Sequence, residues 1–363
     1  MNFLKQTFTF VALSTLVFLT SCEKDDKNAD QLTNPSYVVP ETYNFENASY
    51  GGQEDRLNML AELEAYLKTA NSGGVIDATK AKAMYANDGY TWESDTFAVV
   101  QPTKDLKSKT HPDQQAEVEA LIDQLADLSV NGSSTTSLDG SDKTYLFDEN
   151  GFEPIQLIAK GIMGSCFYFQ GTSSYLSDAK MNVENDTLVE GKDYTKMQHH
   201  WDEAFGYLGA PVAFSGSNTS GGVYWGKYAK KTSVGSLTTI DDLMQAFISG
   251  RAAINNKDYD ARDKAIGVVR AQWEMIPVAS ALHYLNGAIA DVADAALRNH
   301  KLSEAIAFTS ALKYNSESSI SASQVDAIIA ALGANLNEVT AEQIGEARTL
   351  LAEAFNITNA SEF

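Results

Sequence analysis

The spacing of apolar residues along the chain predicts a protein built mainly from helices. Leu57, Leu60, Leu63 and Leu67 recur at three- and four-residue intervals and predict a helix over 54–69. Asp77 reads as the cap of a short helix over 79–85. Val118, Leu121, Ile122, Leu125 and Leu128 predict a helix from 112 to 128, with Pro112 suited to its first turn. The stretch 153–169 is apolar nearly all round and reads as a central, buried helix. Further helices follow from Asp241-Asp242, over a long tract at 259–298 kinked by Pro277, and over 303–314, 323–332 and 341–355. Residues 36–45 alternate instead, with Tyr37, Tyr43 and Phe45, and predict an extended strap across the body. The pattern predicts an all-α protein: a helical bundle of about eight or more helices with an extended N-terminal strap, covering 37–363.

Before that body the pattern changes. Met1 to Lys5 is a short basic start, and an apolar run follows through Leu19. It is too short and too near the end for a stable transmembrane anchor. Leu19-Thr20-Ser21-Cys22 then resembles a bacterial lipoprotein signal, so 1–21 reads as a signal peptide and Cys22 as the lipid-modified N-terminus. Glu23 to Lys27 is an acidic tag like those that send some Gram-negative lipoproteins to the outer face of the outer membrane. Residues 22–36 lack periodicity and read as a linker.

Charge narrows the partners. The chain has 27 Lys and Arg against 48 Asp and Glu, a net charge of −21. Such a surface argues against nucleic acid and against adhesion to anionic lipid. With Cys22 assigned to lipid, Cys166 is left alone in an apolar run and reads as buried and inert.

The densest chemistry lies in Met197 to Tyr207. On a helix, Trp201, Ala204, Phe205 and Leu208 form an apolar stripe. His199, His200, Glu203 and Tyr207 share another face, and Glu203 reaches either histidine at i+4 or i+3. Imidazole with carboxylate suits a transition metal such as iron, zinc or copper. One or two more ligands would have to come from elsewhere, with Glu274 and His283 as candidates and Asp202 a weaker one. The competing reading is a histidine held by an intrahelical glutamate. The zincin pattern, a Gly-x-Ser-x-Gly elbow, a P-loop and a dinucleotide fingerprint are all missing from the sequence. Arg251, Arg262 and Arg270 among nearby aspartates read as inter-helix ion pairs.

Several stretches together resemble domain-of-unknown-function family 4856. They are Tyr37-x-x-Pro40-x-Thr42-Tyr43-x-Phe45, Arg56-Leu57-x-Met59-Leu60, His199 to Tyr207, Trp225-Gly226-Lys227-Tyr228 and Arg262-Asp263-x-Ala265-Ile266. The likeness runs from about Tyr37 onward and implies a lipoprotein without a settled activity. His200-x-x-Glu203 is also similar to the helical Gly-x-His-x-x-Glu of imelysin-like proteins, although Gln198 stands at the glycine. That resemblance implies a helical bundle linked to iron acquisition.

The sequence therefore leads to an outer-membrane lipoprotein that binds a metal or metal complex through His200, Glu203 and His199 and serves a metal-uptake transporter. Two other readings stand beside it. One is a surface module for a protein or glycan, with Tyr224 and Trp225 at the contact. The other is an imelysin-type metallopeptidase.

Overall fold

The computed structural model describes residues 36–92, 103–234 and 237–363. The signal segment 1–21, Cys22 and the rest of the linker before Ser36 lie outside them. Among the described residues the fold is all-α, with twelve α-helices and one two-stranded hairpin. No helix there is long and apolar enough to cross a membrane.

The strap comes first and carries no regular structure. Tyr43 anchors it: its N–H donates to the Val212 carbonyl, and its ring stacks on Phe205 with centroids 3.7 Å apart. Helix α1, Gly51–Lys68, starts three residues before the expected start at 54 and buries Leu57, Leu60, Leu63 and Leu67. In α2, Ala78–Ala86, the Asp77 side chain accepts from the Thr79 and Lys80 N–H groups, as a capping aspartate should. Helix α3, Pro112–Asn131, buries Val118, Ile122 and Leu125.

The antiparallel hairpin β1, Thr135–Thr136, and β2, Thr144–Tyr145, was not foreseen. Helix α4, Pro154–Ile162, is as buried as its composition requires, but it changes pitch: Met163–Tyr168 and Gln170–Ser174 are π-helical turns. Cys166 sits in the first of these, fully buried, and burial pushes its thiol up to about 12.

After the single turn α5, Asp178–Met181, comes α6, Lys196–Gly206, which carries both neighbouring histidines. Thr195 and Gln198 close a capping box at its start. Another single turn, α7, Trp225–Tyr228, precedes α8, Thr239–Asn255. The long tract expected over 259–298 is two helices: α9, Tyr259–Ala290, and α10, Ala295–Ala311. Pro277 lies inside α9 without ending it. The break falls where Asp294 accepts from the Ala296 and Leu297 N–H groups and starts a new helix. Helices α11, Ala322–Ala330, and α12, Ala341–Ala354, finish the bundle.

Glycines let the helices meet closely. A Cβ on Gly250 of α8 would lie 2.1 Å from the Trp201 ring of α6. One on Gly206 would lie 2.7 Å from Tyr50 and 2.8 Å from Gln53, so α6 presses directly on the start of α1.

Candidate functional site

Helix α6 divides as its periodicity predicts except at Tyr207, which was expected on the His/Glu face and is instead fully buried, stacked on Phe167. Trp201, Ala204, Phe205 and Leu208 are at most 1% exposed. The Trp201 indole N–H donates to the Phe247 carbonyl in α8. This fixes the rotation of the helix and leaves His199, His200 and Glu203 half-buried on the opposite side.

Both histidines direct Nδ1 at a main-chain carbonyl. His199 Nδ1 lies 2.9 Å from the Ser49 carbonyl oxygen, and His200 Nδ1 lies 2.8 Å from that of Lys180. A carbonyl can only accept, so each Nδ1 carries the proton and Nε2 is the ring nitrogen left over. The Tyr194 ring stacks on His199 with centroids 4.5 Å apart. Burial holds the His200 ring below the usual imidazole range, which favours its neutral form.

Glu203 is held from two sides. Its Oε1 accepts from the Tyr175 hydroxyl at 2.9 Å and from Gln53 Nε2 at 3.1 Å. The Lys109 ammonium donates in turn to Tyr175 at 3.1 Å. Oε2 faces His199 Nε2 at 3.8 Å. Tyr175 was not foreseen. It lies 28 residues before Glu203, at the end of the π-helical segment, and no local spacing points to it.

The structure thus pairs Glu203 with His199, while His200 is tied to the Lys180 carbonyl near Tyr175. The more distant candidates do not join them. Glu274 is buried and accepts from the N–H and hydroxyl of Ser319 and from the hydroxyl of Ser318. His283 Nε2 lies 2.8 Å from the Lys231 ammonium. Asp202 is fully buried: it takes the Arg251 guanidinium at 2.8 Å, the Tyr43 hydroxyl at 2.7 Å and the Ser49 N–H at 3.1 Å. It clamps the strap to α6 and α8. Among the described residues, no three His, Cys, Asp or Glu side chains converge as metal ligands.

The arginines follow the expectation only in part. Arg251 does bridge helices, to Asp202. Arg262 pairs with its neighbour Asp263, and Arg270 donates to the Thr172 and Leu176 carbonyls. Trp225, expected at an outer contact, is buried, with its indole N–H donating to the Met163 carbonyl.

No curated protein and no solved structure matches the chain. Residues 40–358 do match one family, which spans the strap, the α6 site and most of the bundle, and the chain belongs to it: Domain of unknown function (DUF4856).

Proposed function

We propose that this is a lipoprotein of the outer membrane, anchored through Cys22, that binds a transition metal or metal complex at the His199, His200 and Glu203 face. Iron, zinc or copper would suit the donors, and delivery to an uptake transporter would be the purpose. The observation that carries the reading is the pair of Nδ1 bonds to carbonyls, which turn both imidazoles into oriented Nε2 donors. Tyr175 and Gln53 orient Glu203 in the same way. Protein donors alone leave the shell of a structural ion unfilled, since such an ion takes about four ligands. A metal complex that brings donors of its own fits better than a bare ion.

The test is elemental analysis of the purified full chain, without a histidine tag, after loading with zinc or with ferric citrate. The expected result is near-stoichiometric metal in the parent and its loss in His200→Ala and His199→Ala at unchanged helicity. Equal metal content in parent and variants would overturn it.

A second reading has its own support. Glu203 Oε1 already accepts two hydrogen bonds, which is what a fastening residue needs. On that reading the protein is a surface interaction module with no metal. Metal-free protein after loading would favour it.

A further inference from the structure

The body is strongly acidic, yet one flank of the His/Glu face gathers cations. The chain carries 48 Asp and Glu against 27 Lys and Arg. On such a chain an ammonium group readily finds a carboxylate, as Lys82, Lys107 and Lys313 do. Lys109 and Lys180 take no part in the lysine–carboxylate pairs found among the described residues.

Both turn toward Tyr175 instead. The Lys109 ammonium donates to the Tyr175 hydroxyl at 3.1 Å and lies 5.2 Å from the ring centroid. The Lys180 ammonium lies 5.7 Å from the same centroid and makes no hydrogen bond among the described residues. An ammonium carries three N–H groups, so most of this donor capacity is unused. Both lysines are half-buried, which leaves them open to a solute. The His200 ring lies 6.2 Å from that of Tyr175, so the ammonium groups border the imidazole donor.

The backbone fixes this arrangement. Buried Gln170, in the second π-helical turn, donates through Nε2 to the Lys109 carbonyl at 2.7 Å. The His111 N–H donates to the Ser165 carbonyl in the first π-helical turn, also at 2.7 Å. The loop bearing Lys109 is thus pinned to the segment that leads into Tyr175. Such turns are frequent at functional sites. On the other side, the Lys180 carbonyl is the one that takes His200 Nδ1.

Charge selects the ligand. Burial, then the Arg56 guanidinium, holds the Lys109 ammonium below the usual lysine range; Lys180 adds to that push and Glu203 opposes it. Arg56 is itself buried and donates to two carbonyls, those of Gly52 and Asp105. Asp202 is taken up by Arg251. Three cations therefore stand around the Glu203 carboxylate. A bare metal cation would meet that excess, whereas a metal held by carboxylates would bring the matching charge.

We propose that Lys109 and Lys180 form an anion subsite beside His200, and that the ligand of this face is a metal carried as an anionic polycarboxylate chelate. Carboxylate oxygens of the chelate accept from the two ammonium groups, and His200 Nε2 is left for the metal. The inference rests on the metal reading above and narrows its ligand from any metal complex to a negatively charged one.

The test is equilibrium dialysis of the purified full chain, without a histidine tag, against ferric citrate, zinc, metal-free citrate and inorganic phosphate in turn. The parent should hold ferric citrate more tightly than citrate or phosphate. Lys109→Gln and Lys180→Gln should each weaken ferric citrate about tenfold, through loss of a hydrogen bond to a charged group. Neither should weaken zinc, since each removes a positive charge. The Lys180 side chain hydrogen-bonds nothing in the fold, so Lys180→Gln carries the test even if Lys109→Gln loosens its loop. Ferric citrate bound equally by parent and variants overturns the subsite and leaves the metal reading standing, as does uptake of zinc without ferric citrate. Equal loss of zinc and ferric citrate would mark the lysines as structural and also overturns it. Citrate or phosphate bound as tightly as ferric citrate, and still bound by His200→Ala, overturns the chelate in favour of a free anion. A parent that takes up no metal in either form overturns both readings.

Discussion

Asp202 stands within a motif that invites a chemical reading, yet its partners give it a mechanical one. Burial pushes its carboxyl up, while the Arg251 guanidinium, the Tyr43 hydroxyl and the Ser49 N–H oppose that push. Removing Arg251 leaves the carboxylate buried and uncompensated, a change that costs about 3–5 kcal/mol. Arg251→Ala is therefore expected to unfold at markedly lower urea. Its Asp202 would bind a proton more tightly in the folded state than in the unfolded one, so the penalty is largest at neutral pH and shrinks as pH falls. Urea titrations of parent and variant at about pH 7 and pH 5 check this, and a gap independent of pH would count against it. His283 gives a second case of the opposite sign. Burial lowers it first, followed by the charges of Lys231 and Lys301. Its neutral ring accepts from the Lys231 ammonium, and a protonated ring would face that cation at 2.8 Å. The stability it contributes is present above its unfolded pKa of about 6.5 and is lost as pH falls through the lower folded value. Melting midpoints should drop on acidification across that window, and less so in His283→Gln. Equal slopes would show that His283 plays no part.

At the scale of elements, periodicity reached as far as one face can reach. The α6 stripe, the leucines of α1, the Asp77 cap and the buried character of α4 were all legible, because each is set by neighbours within a few residues. The π-helical turns after Ile162 were not, since a segment apolar on every side shows no change of period when its pitch changes. The break between α9 and α10 was missed for a related reason: alanines on both sides of Asp291–Asp294 mask the Asp294 cap. Glu274 looked like a free carboxylate because the serines that occupy it lie 44 and 45 residues away. The pairing of Glu203 with Tyr175 and Gln53 was hidden likewise, by separations of 28 and 150 residues. Close helix contact was equally invisible. Gly250 reads as a weak point in α8, but it is where the Trp201 ring passes. Gly250→Ala should gain helix propensity and still destabilise, by about 1–3 kcal/mol, because the extra carbon has no room. Thermal melts followed by circular dichroism decide the matter, and a stabilised variant would mean that the contact is looser than the geometry states.

For the whole molecule, the proposed membrane location raises the question of how so acidic a body would be held there. A net charge of −21 opposes adhesion to anionic lipid, so the proposed attachment would have to come from elsewhere. The proposed anchor at Cys22 meets that need. The strap begins close to the α8–α9 corner, where the Tyr37 hydroxyl donates to Asp258 Oδ2 at 3.1 Å. Two acyl signals hold a protein at a membrane where electrostatics do not, and deleting the modified residue removes them together. Cys22→Ala is accordingly expected to leave the membrane fraction and lose the lipid-dependent shift in mass, with its melting midpoint unchanged because the bundle lies beyond the linker. On intact cells, added protease should remove the parent protein by cutting within 22–36. A Cys22→Ala variant that still sediments with membranes would place the attachment in the body itself, and protection from protease would place the protein on the inner face.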